Sequence, residues 1–223
     1  MKLYWSPRSP FVRKVMIVLH ERGLLDRVEL IRAPVQLDGP LNPALMRVNP
    51  LGKIPALVCD EGRVILGSPV ICAFLGGLGD GPGLVPADPR ARLDSLRWEV
   101  LGDGLTDILL LWRSLIRNGI AADSPISDSY RGKIPAILSS LEAECAALAA
   151  VPFGLGHIAI ACALGQLDFR YPHCGWRLAF PALAEWAEDL NRRPSLAATG
   201  VQDDGAADTG DVVMPLILQR PAF

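Results

Sequence analysis

Five glycines and two prolines fall between Gly76 and Asp88, and a run of that composition interrupts any helix or strand it meets. The chain is therefore expected to fold in two parts joined there. Before the run the pattern changes every few residues. Lys2 to Trp5 is a short apolar run closed by Ser6-Pro7. From Pro10 to Gly23 the apolar residues Phe11, Val15, Val18 and Leu19 recur at helical spacing, and Gly23 stands where a C-terminal cap belongs. Val28 to Ile31 alternates as a strand does, and Ile54–Cys59 and Arg63–Leu66 flank Asp60-Glu61-Gly62 as a hairpin. Ser68-Pro69 opens a second apolar helix. The order reads β-α-β-(loop or helix)-β-β-α. After the run the patterns are helical only, over Arg90–Arg117, Ser129–Ala149, Ile158–Phe169 and Pro181–Arg192. The chain from Thr199 is rich in Gly and Asp, and Met214–Phe223 reads as an extended tail.

Composition removes several classes of function. Lys plus Arg total 22 against 24 Asp plus Glu, a formal net charge of −2. Such a balance leaves no electrostatic footprint for nucleic acid or an anionic membrane surface. The mean hydropathy is +0.28, but a membrane span needs roughly 18 consecutive apolar residues. Pro69–Leu78 and Ile158–Leu164 are too short. Val15–Leu19 has Arg13, Lys14, Glu21 and Arg22 close on either side, unlike a signal-peptide core. A cytoplasmic protein is expected. The five cysteines, Cys59, Cys72, Cys145, Cys162 and Cys174, are odd in number and show no C-x-x-C pair. They read as buried free thiols, with neither a disulfide frame nor a zinc site.

Two Ser-Pro pairs carry the chemistry. Serine caps a helix through its hydroxyl, and a following proline suits the first turn because its missing N–H would have no partner there. Ser9-Pro10 and Ser68-Pro69 thus mark two helix N-termini, each favourable to an anion. Simple capping is the plainer reading of both serines. Asn49-Pro50-Leu51-Gly52-Lys53-Ile54-Pro55 adds a proline immediately before a strand. A cis Ile54–Pro55 bond would turn the Ile54 amide outward to pair with an extended peptide ligand; a trans proline would merely start the strand.

Ser9-Pro-Phe-Val-Arg-Lys, His20-Glu-Arg-Gly-Leu, Asn49-Pro-Leu-Gly-Lys-Ile-Pro-Ala-Leu and Ser68-Pro-Val-Ile together resemble the cytosolic glutathione transferase superfamily. The nearest likeness is to bacterial members of the YibF-like kind. Ile158-Ala-Ile-Ala-Cys-Ala-Leu-Gly-Gln-Leu-Asp-Phe-Arg resembles the core helix of that family's second domain, so the likeness spans nearly the whole chain. It implies a thioredoxin-like α/β domain over residues 1–78 that binds glutathione, a linker at 79–88 and an all-α helical-bundle domain over 89–223. It also implies a homodimer, and glutathione as co-substrate with no metal.

Carried over, the resemblance makes Ser9 the catalytic serine, whose hydroxyl donates to the glutathione sulfur. A free thiol has a pKa near 8.5, so little of it is thiolate at neutral pH without such help. Lys53 and Ile54 would hold the tripeptide, Ile54 through its backbone, with Pro55 as the cis proline. Ser68 would bind the γ-glutamyl carboxylate. Arg13, one turn into the helix, reads as a packing or surface salt-bridge residue. Two positions depart from the family. Gly67 stands where Glu or Asp usually meets the γ-glutamyl ammonium, so a contact worth about 1.5–3 kcal/mol is missing. Gly154-Leu155-Gly156-His157 replaces a Ser/Thr-x-x-Asp capping box, at a cost to stability rather than activity.

Other constellations carry less. Ser6-Pro7-Arg8-Ser9 lacks the two cysteines that dithiol exchange requires. His20, His157 and His173 have no metal-ligand spacing. Trp98 and Trp112 read as core residues, with an electrophile pocket as the alternative for Trp112. The sequence thus points to a transferase that activates glutathione for attack on a small hydrophobic electrophile. The competing reading is a non-catalytic binding or scaffold protein of the same fold, which Gly67 favours.

Overall fold

The computed structural model describes residues 1–79, 81, 83–203 and 212–219. Two compact units emerge: Met1–Arg92 with the described part of Ser195–Asp208, and Leu93–Pro194 with the described part of Thr209–Phe223.

The first unit is built on β1 (Lys2–Trp5), α1 (Pro10–Glu21), β2 (Glu29–Arg32), α2 (Pro43–Met46), β3 (Ala56–Val58), β4 (Val64–Leu66) and α3 (Ser68–Gly76), with a 3₁₀ turn at Leu25–Arg27. The strands form one mixed sheet in the order β2-β1-β3-β4. β1 and β2 run parallel, while β3 is antiparallel to both β1 and β4. α1 packs against α3. This is the α/β, thioredoxin-like arrangement.

The second unit is helical: α4 (Pro89–Arg117), α5 (Pro125–Ala143), α6 (Cys145–Ala150), α7 (Leu155–Arg170), α8 (Trp176–Ala179) and α9 (Pro181–Asn191). A further short helix, α10 (Pro194–Ala198), begins at the end of this unit, and the described residues from Ser195 to Asp203 belong to the first. Proline sets many of these starts. α1, α2, α4, α5, α9 and α10 each begin on a proline, where the missing N–H costs nothing and φ is already helical. Asn42, Asp88 and Ser124 complete three of them by accepting amide hydrogens of the first turn. The Ser124-Pro125 pair places the start of α5 ahead of the expected Ser129. The helix expected over Ser129–Ala149 is two, broken at Glu144, whose carboxylate is drawn aside to Arg97, Trp98 and Ser140.

Two close approaches fix the packing of α4 on α7. A Cβ on Gly102 would lie 2.5 Å from the Ala159 carbonyl carbon, and one on Gly156 would lie 2.8 Å from the Ser95 carbonyl oxygen. Only hydrogen fits at either place. Trp98 and Trp112 lie in the core of this unit, with Trp112 fully enclosed and donating to Ser127 Oγ at 3.1 Å. That enclosure removes the electrophile-pocket alternative for Trp112. The described tail, 212–219, has no regular structure. Met214, Leu216 and Leu218 alternate into the same core, and the Leu218 amide donates to the Cys174 carbonyl at 2.7 Å. Residues 220–223 of the expected tail, and the Gly/Asp-rich 204–211, lie outside the described residues. None of the five cysteines forms a disulfide, and burial raises the Cys145 pKa to about 11.

α7 begins without the Ser/Thr of the usual box, yet half of that box is rebuilt. His157 Nδ1 accepts the Gly154 amide at 3.2 Å, and its Nε2 lies 2.9 Å from the Leu148 carbonyl, so Nε2 carries the proton. Burial first, and then the charge of Arg193, push its pKa below the ordinary 6.5, against the Leu148 bond. The unfolded chain therefore binds this proton more tightly than the folded one. Stability is complete above the unfolded pKa and falls as pH drops through 6.5. Thermal unfolding midpoints measured from pH 7.5 down to pH about 5 are expected to decline, and His157→Asn is expected to flatten that decline.

The glycine-rich stretch after α3 is held in place. Arg22 Nε donates to the Leu78 carbonyl at 2.9 Å and Nη2 to the Gly79 carbonyl at 2.6 Å, while Nη1 reaches the Gly81 carbonyl. Gly79 has φ +78, and a Cβ there would fall 2.5 Å from the Arg22 carbonyl oxygen.

Candidate glutathione site

Strand register gathers the sequence-derived residues. Tyr4 of β1 pairs with Ala56 of β3, and Ala56 pairs with Leu66 of β4. The exit of β1, the entry of β3 and the exit of β4 therefore meet at one end of the sheet. Ser6–Ser9 follows β1, Ile54–Pro55 precedes β3, and Gly67–Ser68 follows β4. The N-termini of α1 and α3 open at that same end. Beneath them lies a small core of Val12, Ala33, Leu45, Ile54 and Ala56, with Tyr4 and Trp5 packed against it.

Ser9 is the N-cap of α1, in extended conformation, and its Oγ accepts the Val12 amide at 3.3 Å. The hydroxyl proton is left to donate elsewhere. Ser6 turns the loop: its carbonyl accepts the Ser9 amide at 3.2 Å and its Oγ accepts the Arg8 amide at 3.4 Å.

The Ile54–Pro55 peptide bond is cis. Asn49 organises the loop before it: Nδ2 donates to the Lys53 carbonyl at 2.7 Å and Oδ1 accepts the Leu51 amide at 3.0 Å. Asn49 is buried, whereas the Lys53 side chain is exposed. The Ile54 amide has no hydrogen-bond partner among the described residues.

At α3 the structure shifts the expected cap by one residue. Gly67, with φ 82 and ψ 131, is the N-cap, and its carbonyl accepts the Ile71 amide at 3.0 Å. Only glycine takes that conformation without strain, and it turns the chain straight from β4 into the helix. Ser68 becomes the first helical residue instead of the cap. Its side chain is buried and makes no capping bond or other hydrogen bond among the described residues.

Two features escape the sequence reading. Arg13 is only 7% exposed and forms no salt bridge among the described residues, which fits the packing alternative and corrects the surface salt-bridge one. The segment from Ser195 to Asp203 also runs back along α1: Ser195 Oγ donates to Glu21 Oε1 at 2.5 Å, the Leu196 carbonyl accepts from Arg13, and the Gln202 amide donates to the Pro7 carbonyl at 3.4 Å. Asp203 stands 3.6 Å from Arg8, beside Ser9. A groove of about 640 Å³ at the opposite end of the sheet, lined by Met1, Asp26, Cys59 and Asp60 among others, shares no residue with this site. No cluster of metal-ligating side chains occurs among the described residues.

The family model of the glutathione S-transferase N-terminal domain matches residues 8–78, and that of the C-terminal domain matches 118–189. The uncharacterised GST-like protein YibF of Escherichia coli (strain K12) is 35% identical over 202 residues, covering 89% of this chain and 98% of its own. A glutathione transferase family member from Pseudomonas fluorescens Pf-5, solved with bound glutathione, superposes with a TM-score of 0.83 at 41% identity, over 91% of this chain and 99% of that one. The same protein with bound S-(propanoic acid)-glutathione gives 0.79 at 41%, over 91% and 100%. Sheet topology, paired domains and relatives agree: the chain belongs to the glutathione S-transferase family.

Proposed function

We propose that the protein is a cytoplasmic glutathione transferase in which Ser9 activates the glutathione thiolate for attack on a small hydrophobic electrophile. The observation that carries this reading is the convergence of Ser9, cis-Pro55 and Ser68 at one end of the sheet. Each group has a capacity left over for a ligand. The Ser9 hydroxyl keeps its proton to donate to sulfur. The Ile54 amide pairs with the tripeptide backbone, Lys53 adds a positive charge at the rim, and the Ser68 hydroxyl and the N-terminus of α3 take the γ-glutamyl carboxylate. In the relative solved with S-(propanoic acid)-glutathione the sulfur already carries a three-carbon acid. A small electrophile on this chain's glutathione fits that precedent. Calorimetric titration with glutathione tests the reading, because a protein of this fold that serves only as a scaffold has no reason to take up the tripeptide.

Gly67 is the observation that favours the second reading, a non-catalytic binding or scaffold role, since no carboxylate there meets the ligand ammonium. The space for one is open, as nothing lies within 4 Å of a Cβ built on Gly67. Its φ of +82 means that a side chain strains the folded chain with or without ligand. Gly67→Glu is therefore expected to lower stability by about 1–3 kcal/mol. In the folded fraction it is expected to tighten glutathione binding several-fold to about a hundredfold, as a charge-assisted bond would. Differential scanning calorimetry and isothermal titration read the two effects separately.

Assembly belongs to the same proposal. On α4, Leu93, Leu96 and Val100 are 68%, 40% and 70% exposed and share one face at i, i+3 and i+7. An apolar stripe of this kind suits a twofold partner. Light scattering is expected to give twice the chain mass of 24.0 kDa; the single-chain mass at every concentration would refute the dimer.

A further inference from the structure

Arg13 is the buried charge that the reading above leaves unused. A guanidinium stays protonated at any pH a protein survives. This one is 93% covered, its Nε has no hydrogen-bond partner, and its Nη2 reaches only the Leu196 carbonyl, at 3.5 Å. No carboxylate pairs with it among the described residues. Burying a charge so poorly compensated is costly, and an apolar side chain of similar length would pack the same space at lower free energy. The Leu196 carbonyl does not need it either, since it also accepts from the Thr199 amide at 3.3 Å and the Thr199 hydroxyl at 3.4 Å.

Its position supplies the missing partner. Arg13 is four residues after Ser9, one turn along α1, so the two stand on the same face of the helix. We propose that Arg13 is an electrostatic positioning residue, whose buried guanidinium one turn below Ser9 holds the sulfur of bound glutathione in its thiolate form. The inference rests on the transferase reading and adds a second source of positive potential to the Ser9 hydroxyl and the helix terminus. Other charges around α1 are already engaged. Lys14 is buried with a partner of its own, and Arg8 faces Asp203. Glu21 accepts from Ser195, and Arg22 holds the carbonyls after α3. His20 lies in the last turn of α1, away from Ser9. α3, packed against α1, carries Cys72 as its one titratable side chain.

The test is the ultraviolet absorbance of thiolate in the enzyme–glutathione complex, titrated with pH in the wild type, Arg13→Met and Arg13→Lys, with a thermal melt of each. The wild type should titrate below the ~8.5 of a free thiol. Arg13→Met should raise that value by about one unit, a tenfold loss of thiolate at neutral pH, with a melting temperature equal to or above wild type. Arg13→Lys should keep most of the wild-type value. A Met variant that titrates like the wild type, or melts lower with an unchanged thiol, makes Arg13 a structural residue and overturns the inference alone. Should the Met variant not fold, a Lys variant titrating as free glutathione overturns it, because the charge is then present without effect. A wild type that takes up no glutathione overturns the transferase reading, and this inference with it.

Discussion

Ser9→Ala is expected to lower turnover toward a model aryl halide by roughly 10- to 1000-fold, the range found when one donor to a developing anion is removed. Glutathione affinity should change far less, because the tripeptide is held by groups beyond Ser9. The structure shows why alanine alone is an incomplete test. Ser9 Oγ also caps α1 through the Val12 amide, so alanine removes a cap and costs about 0.5–2 kcal/mol of stability. Ser9→Gly removes the same hydroxyl while keeping most of the capping preference, at a loss of a few tenths. Both variants should lose turnover alike, although only alanine should melt appreciably lower. Turnover that tracks melting temperature instead would show that the serine merely starts the helix, and unchanged turnover in both would move the role to another group near the loop. Ser6 is a poor substitute, being 3% exposed and occupied in the turn.

Gly102→Ala and Gly104→Ala, two residues apart on α4, are expected to move stability in opposite directions. Helix propensity favours alanine over glycine at both by about 0.8–1 kcal/mol. At Gly104 nothing lies within 4 Å of the added carbon, so that gain is realised. At Gly102 the carbon would meet the Ala159 carbonyl carbon at 2.5 Å and the Ile160 nitrogen at 2.6 Å. Those are backbone atoms of α7 and cannot rotate aside, so the helices must separate. A loss of at least 1–3 kcal/mol is expected, and Gly102→Leu should not yield folded protein. Urea denaturation followed by circular dichroism measures both, and a Gly102→Ala variant as stable as Gly104→Ala would refute the close crossing.

The residues that sequence exposed and those it hid differ in the range over which their interactions act. Ser9-Pro10 and the hairpin at Asp60-Glu61-Gly62 are local devices, complete within a few residues, and they stand in the structure where the pattern put them. Ser68 was one residue out because the choice between Gly67 and Ser68 as cap depends on a positive φ, which composition does not display. Ser124-Pro125 carries the same signal as Ser9-Pro10, and α5 begins there, ahead of the expected Ser129. Arg13 and Lys14 were harder. Adjacent basic residues on an amphipathic helix look like its wet side, and their burial depends on what is laid over them. The covering segment from Ser195 onward meets Glu21, Arg13 and Pro7 largely through backbone groups, and a backbone carbonyl leaves no mark in a sequence.

That returning segment also bears on the order of events during synthesis. The loop bearing Ser9 leaves the ribosome well before Gln202 and Asp203, its partners far along the chain, have been made. Sheet, α1 and α3 can assemble early, but the loop acquires its final contacts only once the segment from Ser195 to Asp203 has been made. A nascent or prematurely terminated chain ending before Ser195 would thus present the Ser9 turn without the bonds to Pro7 and Arg8 that brace it. The Ser9 loop is therefore completed only after the helices of the second unit have been synthesised.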